Sequence, residues 1–278
     1  MNQDSEQMKP GPTLLLLAPS FLVTGWLVWQ VQWYWRAGGD LGFGWLAPVL
    51  GAVLFWKAWG DRPAVAWKMR WWALLALLPG VGMLFLMQIY QASMGTNAAS
   101  TMGLALGVML VVMANLGIVF GWRGVAGFGM AYALLLCALP LPTILHAPVV
   151  AVLGRMAAVN VEVLNLAGVP AELAGREIVV AGQKLNVVGA CRGQGTMQFA
   201  ALASLFFAWF AVRGWGRRIG VLVGGALIGV LGYFVCSMRL CLAVNAHGGD
   251  AGAPSMWMVW GGIAVLVAGI ARGMRHEA

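Results

Sequence analysis

Apolar residues lie along the chain in long uninterrupted blocks, not at the mixed spacing of a soluble amphipathic fold. The blocks cover roughly 12–31, 41–58, 71–90, 101–121, 124–145, 194–212, 219–243 and 256–272. A helix rising about 1.5 Å per residue needs about 20 such residues to cross a hydrocarbon layer roughly 30 Å thick. Inside that layer every backbone polar group must be satisfied within its own segment, so each block predicts a helix. The expected fold is an all-α polytopic membrane protein of about eight transmembrane helices. The first block reads as a retained helix and not a cleaved leader, because Lys9 is the only basic residue ahead of it and no Ala-x-Ala-type site follows.

One stretch breaks the pattern. Residues 146–190 form the longest interval between blocks. Within it, 148–166 predicts a helix with Val149, Val150, Leu153, Met156, Ala157, Val161 and Leu164 on one side and Arg155, Asn160 and Glu162 elsewhere. Such a helix is expected on the membrane face. Gly168-Val-Pro-Ala ends it, and two short β-type runs around Ala181-Gly182-Gln183 predict a small external hairpin before the sixth span. The expected organisation is therefore a membrane scaffold of about five spans over 1–140, and a catalytic region over 141–278 with the insertion 146–190 and three spans.

Composition supports the membrane reading. Of 278 residues, 61% are hydrophobic and 9% charged, too few charges to coat a soluble domain. The net charge of +8 does not point to nucleic acid, because the basic residues are scattered between blocks as topology signals. With the N-terminus inside, eleven fall on the cytoplasmic side: Lys9, Lys57, Arg62, Lys68, Arg70, Arg123, Arg213, Arg217, Arg218, Arg272 and Arg275. Six fall outside: Arg36, Arg155, Arg176, Lys184, Arg192 and Arg239. The preferred topology is N-in and C-in. Trp33, Trp35, Trp56, Trp59, Trp67, Trp71 and Trp72 sit at span ends, where an aromatic belt is expected.

Candidate chemistry is sparse. The four cysteines form no Cys-x-x-Cys pair, and the chain holds no His-Glu-x-x-His, so neither a zinc site nor another cofactor is expected. Cys191, in Gly189-Ala-Cys-Arg-Gly-Gln-Gly-Thr196, stands where a helix should begin. The helix dipole and the adjacent Arg192 both favour a thiolate there, which makes Cys191 a candidate nucleophile. Cys137, Cys236 and Cys241 lie inside apolar runs and read as packing residues. Arg239, near the outer end of the seventh span, reads either as a snorkelling anchor or as a clamp for a carboxylate, carbonyl or oxyanion. His247, in the expected loop Asn245–Asp250, and His146 both fall outside, and either could be a base for the thiol. His247 is favoured by its closeness to Arg239, with Asp250 in reach to orient the ring.

The order of these features resembles the exosortase/archaeosortase family over roughly 140–272. In that family an outer helix leads to a Gly-x-Pro turn, a Gly-x-x-Ile strand, a second strand and an Ala-Cys-x-Gly motif. Here these read Gly168-Val-Pro170, Gly175-Arg-Glu-Ile178, Leu185-Asn-Val187 and Ala190-Cys-Arg-Gly193. The family's arginine falls at Arg239 and its histidine nearest to His247. Three positions depart from the pattern: Arg192 replaces the usual serine, Cys236 stands where an asparagine is common, and His247 follows Arg239 sooner than usual.

The resemblance implies a thiol peptidase or transpeptidase acting at the outer face of the cytoplasmic (inner) membrane. Its partners would be exported proteins whose C-terminal tag joins a motif, often Pro-Glu-Pro, to a membrane helix and a basic tail. Cys191 would attack, His247 would carry the proton, and Arg239 would orient substrate or oxyanion. The competing class is a non-enzymatic membrane protein, a small transporter or assembly scaffold, although no inverted repeat is visible.

Overall fold

The computed structural model of the chain describes residues 10–36, 41–65, 70–175, 177–185, 193–247 and 256–276. Nine α-helices occur among them: α1 (Pro10–Arg36), α2 (Leu46–Gly60), α3 (Trp71–Met94), α4 (Ala98–Phe120), α5 (Trp122–Ala133), α6 (Thr143–Leu166), α7 (Gly193–Phe210), α8 (Trp215–His247) and α9 (Met256–His276). One antiparallel sheet has the order β1 (Ala171–Ala174), β2 (Glu177–Val180), β3 (Gln183–Leu185). The protein is thus mostly helical, as the apolar blocks predict. By length and composition, five described helices could each cross a membrane: α1, α3, α4, α6 and α8. Four of the eight predicted spans are among these. The others correspond to α2, of 15 residues, and to shorter apolar stretches of α5, α7 and α9. The fifth candidate, α6, is the helix expected on the membrane face.

The block 124–145 is not one helix. α5 tightens into a 3-10 turn at Leu134–Ala138, and Leu139 is extended at φ −100° and ψ 152°. Pro140 and Pro142 explain the break: each lacks an N–H, and each pushes the residue before it out of the helical region. The next helix starts at Thr143, so the end of the apolar block belongs to α6.

The chain divides here into two compact units, Met1–Pro142 and Thr143–Ala278. In the first, α3 and α4 form an antiparallel hairpin whose turn is closed by a reciprocal cap. Asn97 Oδ1 accepts from the Ser100 N–H at 2.9 Å, and the Asn97 N–H donates to Ser100 Oγ at 3.1 Å. Asn115 of α4 donates to Ser20 Oγ of α1 at 2.8 Å. Trp35, expected in the aromatic belt, is instead buried, its indole N–H donating to the Ala138 carbonyl at 2.8 Å. Trp56 and Trp71 are strongly exposed, as belt residues would be.

In the second unit, α6 ends in a reciprocal C-cap. The Val169 N–H reaches the Leu164 carbonyl at 2.9 Å and the Gly168 N–H reaches Asn165 at 3.1 Å, while Gly168 takes φ +80°. Asn165 then bonds both backbone groups of Ala171, at 2.9 and 3.0 Å, and so fixes where β1 starts. The predicted turn joins β2 to β3, with Val180 opposite Gln183 and Ala181 and Gly182 both at positive φ. β1 adds a third strand, with Ala171 opposite Val180.

Candidate site at the junction of α6, α7 and α8

The register of α7 on α8 follows from small residues. A Cβ built on Gly225 would strike Ser204, one on Gly229 would stand 2.8 Å from the Ala200 Cβ, and one on Gly232 would stand 3.7 Å from the Thr196 methyl. Glycines at such spacing let helix backbones approach closely, the packing favoured where no hydrophobic force separates helix from lipid. Each step down α7 from Ser204 through Ala200 to Thr196 climbs α8 from Gly225 through Gly229 to Gly232, so the two helices run antiparallel. The first residue of α7, Gly193, therefore comes level with about Val235–Cys236 of α8, roughly one turn below Arg239.

Arg239 is exposed on α8. It shares an open, apolar recess with Phe234, Val235, Met238, Leu242 and Ala243. It makes no hydrogen bond or ion pair with any described residue. The opposite face of the same turns is packed solid: Tyr233, Cys236, Leu240 and Cys241 form one core with Leu153, Ala157 and Leu164 of α6 and with Ala171, Ile178 and Val180 of the sheet. Cys236 and Cys241 are thus packing residues. The functional face and the structural face of α8 are back to back.

A polar pair lies inside that core. Asn160 of α6 is fully buried and donates through its amide nitrogen to Ser237 Oγ. Ser237 in turn donates its only hydroxyl proton to the Phe234 carbonyl at 2.8 Å. That proton being used, Ser237 must accept from Asn160, which fixes the amide's orientation. The Asn160 amide oxygen then has no partner among the described residues. An orphaned acceptor of this kind costs about 1–3 kcal/mol, and in a native fold it calls for an explanation. The sequence reading set Asn160, like Arg155 and Glu162, off the apolar side of its helix. It lies instead in line with Leu153, Ala157 and Leu164 on the buried face, and that spacing was the available signal.

Of the expected site residues, Cys191, Arg192 and Asp250 lie outside the described residues. His247 is not in a loop but is the last residue of α8. Nothing in Asn245-Ala-His247 breaks a helix before Gly248-Gly249, so the helix runs on. His247 stands about 12 Å further along the axis of α8 than Arg239 and about 80° around it. His146 belongs to the first turn of α6.

Compared with known families, residues 35–272 match the family Transmembrane exosortase (Exosortase_EpsH). The chain belongs to the exosortase family. The exosortase match starts at Trp35, well ahead of the motifs near 140 that carry the sequence resemblance, so it draws on both compact units. With its apolar helices, membership makes the chain a multi-pass membrane protein in contact with the lipid bilayer. Neither the curated proteins nor the solved structures gave a significant match.

Proposed function

We propose that this exosortase-family protein is a membrane-embedded cysteine peptidase or transpeptidase that cleaves C-terminal sorting tags, of the Pro-Glu-Pro type, from exported proteins. One observation carries the reading. The antiparallel seating of α7 on α8 sets the start of α7, two residues after Cys191 in sequence, level with a point about one turn along α8 from Arg239, which has no partner among the described residues. A thiol at the positive end of a helix beside a free guanidinium is the setting in which cysteine becomes a nucleophile.

In this mechanism the Cys191 sulfur attacks the scissile carbonyl carbon, and the tetrahedral oxyanion is met by the donors of Arg239. The C–N bond then breaks, the leaving amine takes from His247 the proton that the ring had removed from the Cys191 thiol, and a thioester remains. Water or an acceptor amine attacks the thioester and returns the proton and the thiol. Arg192 favours the thiolate, and Asp250 orients His247. The site works at the outer face of the cytoplasmic membrane, with eight spans, both termini inside and α6 lying at the surface. The partners of α6 on α8 favour that placement, since they are confined to the stretch Tyr233–Cys241 near the end of the helix. The unit Met1–Pro142 serves as scaffold for the substrate's membrane helix.

The test is Cys191→Ala, with the full chain in membranes and a substrate carrying a Pro-Glu-Pro segment, a membrane helix and a basic tail. Cleavage should vanish while insertion is unchanged. Processing at the wild-type rate would end the cysteine-enzyme reading.

A further inference from the structure

We propose that the turn joining α7 to α8 binds the headgroup phosphate of an anionic phospholipid, through the two terminal nitrogens of Arg218. The inference concerns lipid and does not depend on the cysteine chemistry. α7 ends at Phe210, the Ala211 N–H still reaches the Phe207 carbonyl at 2.9 Å, and Gly214 turns the chain at φ +91° before α8 opens at Trp215. Arg213, Arg217 and Arg218 all fall in or beside this turn. The acidic residues described in this unit, Glu162, Glu172 and Glu177, belong to α6 and the sheet, so the turn is basic with no carboxylate of its own.

Arg218 is fixed from three sides. Its Nε donates to the Val212 carbonyl at 3.3 Å. Its guanidinium carbon stands 4.8 Å from the ring centre of Trp209 and 5.9 Å from that of Trp215, two indoles set at 90° to each other with centres 6.0 Å apart. Both separations are within the roughly 6 Å reach of a cation–π attraction. With Nε committed, the N–H donors of the terminal nitrogens have no partner among the described residues. A cap for the last carbonyls of α7 needs one donor, and a lysine would supply it. A planar fork held at its root and left open at its end matches two oxygens of a phosphate.

The surroundings point to lipid and not to a free anion. The turn stands at the start of Trp215–Ala246, a stretch long and apolar enough to cross a membrane. Trp215, Ile219 and Val223, spaced four apart on α8, are 71%, 55% and 55% exposed, and Phe210 at the end of α7 is also exposed. An apolar surface for acyl chains therefore begins where the guanidinium sits, and one phospholipid can use both. In the topology proposed above the turn meets the cytoplasmic leaflet, whose anionic lipids attract basic segments beside a span.

The test titrates the full-length protein in neutral detergent with phosphatidylglycerol, or with phosphatidylcholine of the same acyl chains, and reads binding by native mass spectrometry. Phosphatidylglycerol should bind at least about fivefold more tightly, roughly the effect of one basic group near an anionic surface. Arg218→Lys keeps the charge but loses the fork, so it should weaken phosphatidylglycerol at least about threefold and leave phosphatidylcholine unchanged, while Arg213→Lys should change either by less than about twofold. Trp215→Leu tests the clamp with every charge in place and should lower the preference at least about twofold. Equal affinity for the two lipids in the wild-type protein would overturn the proposal, as would an unchanged preference in both Arg218→Lys and Trp215→Leu. Loss of both lipids together in Arg218→Lys would make the arginine a structural cap and overturn it too. Displacement of phosphatidylglycerol by inorganic phosphate, but not by potassium chloride of equal ionic strength, would make the turn a site for the free anion and overturn the lipid assignment.

Discussion

Arg239 poses the sharpest question about a single residue. An anchor at the membrane boundary needs only a charge on a long stem, whereas a clamp for a carbonyl or oxyanion needs the planar fork of five donors. Arg239→Lys is therefore expected to insert and fold normally but to lose about a hundredfold or more in kcat/KM, the range seen when an oxyanion donor is removed. Cleavage near the wild-type rate would return Arg239 to the role of anchor. Among the described residues of its recess, Phe234, Val235, Met238, Leu242 and Ala243 offer the exposed guanidinium no partner.

Among the elements, the β2–β3 hairpin carries a local conflict. Its two-residue turn puts both Ala181 and Gly182 at positive φ, 52° and 76°. Glycine accepts that region freely, but alanine is strained there, and asparagine is the residue such turns prefer. Ala181→Asn should thus raise stability by about 0.5–1 kcal/mol, the usual scale of a relieved backbone conflict, measured as a higher thermal midpoint with unchanged cleavage. A lower midpoint would mean that the turn has another conformation. The hairpin matters because its far face joins the core: Ile178 and Val180 are buried against the turns of α8 that hold Arg239 on the other side.

For the whole molecule the test is topology. In a background lacking the four native cysteines, a cysteine introduced at Gln183 should react with a membrane-impermeant maleimide added from outside, and one at Gly216 should not. The opposite labelling would invert the protein and move the site to the cytoplasm. That pattern would also follow if α6 crossed the membrane, as its length and hydropathy allow, whereas labelling of both from outside would mean that α7, which lies between them, does not cross.

The apolar blocks determined the class of the protein by themselves, because a run of some twenty apolar residues has few places to be other than a lipid bilayer. The motifs between 168 and 193 were enough for the family resemblance, and Gly168 and Ala181-Gly182 marked the helix end and the hairpin turn through local backbone chemistry. Side-chain partners across elements were not legible. The sequence could not say that Trp35 turns inward to Ala138 or that β1 joins the hairpin as a third strand. Nor could it give the seating of Gly225, Gly229 and Gly232 on α7, which depends on where two separate helices meet. Asn160 shows the limit most clearly. Its spacing put it in line with the buried face, but only tertiary packing decided that its amide nitrogen would bond Ser237, 77 residues away, and that its oxygen would find no partner among the described residues. Hydrophobic pattern specifies which face is buried. Which polar groups find partners inside is settled by the distances between elements, and no local stretch of sequence encodes those distances.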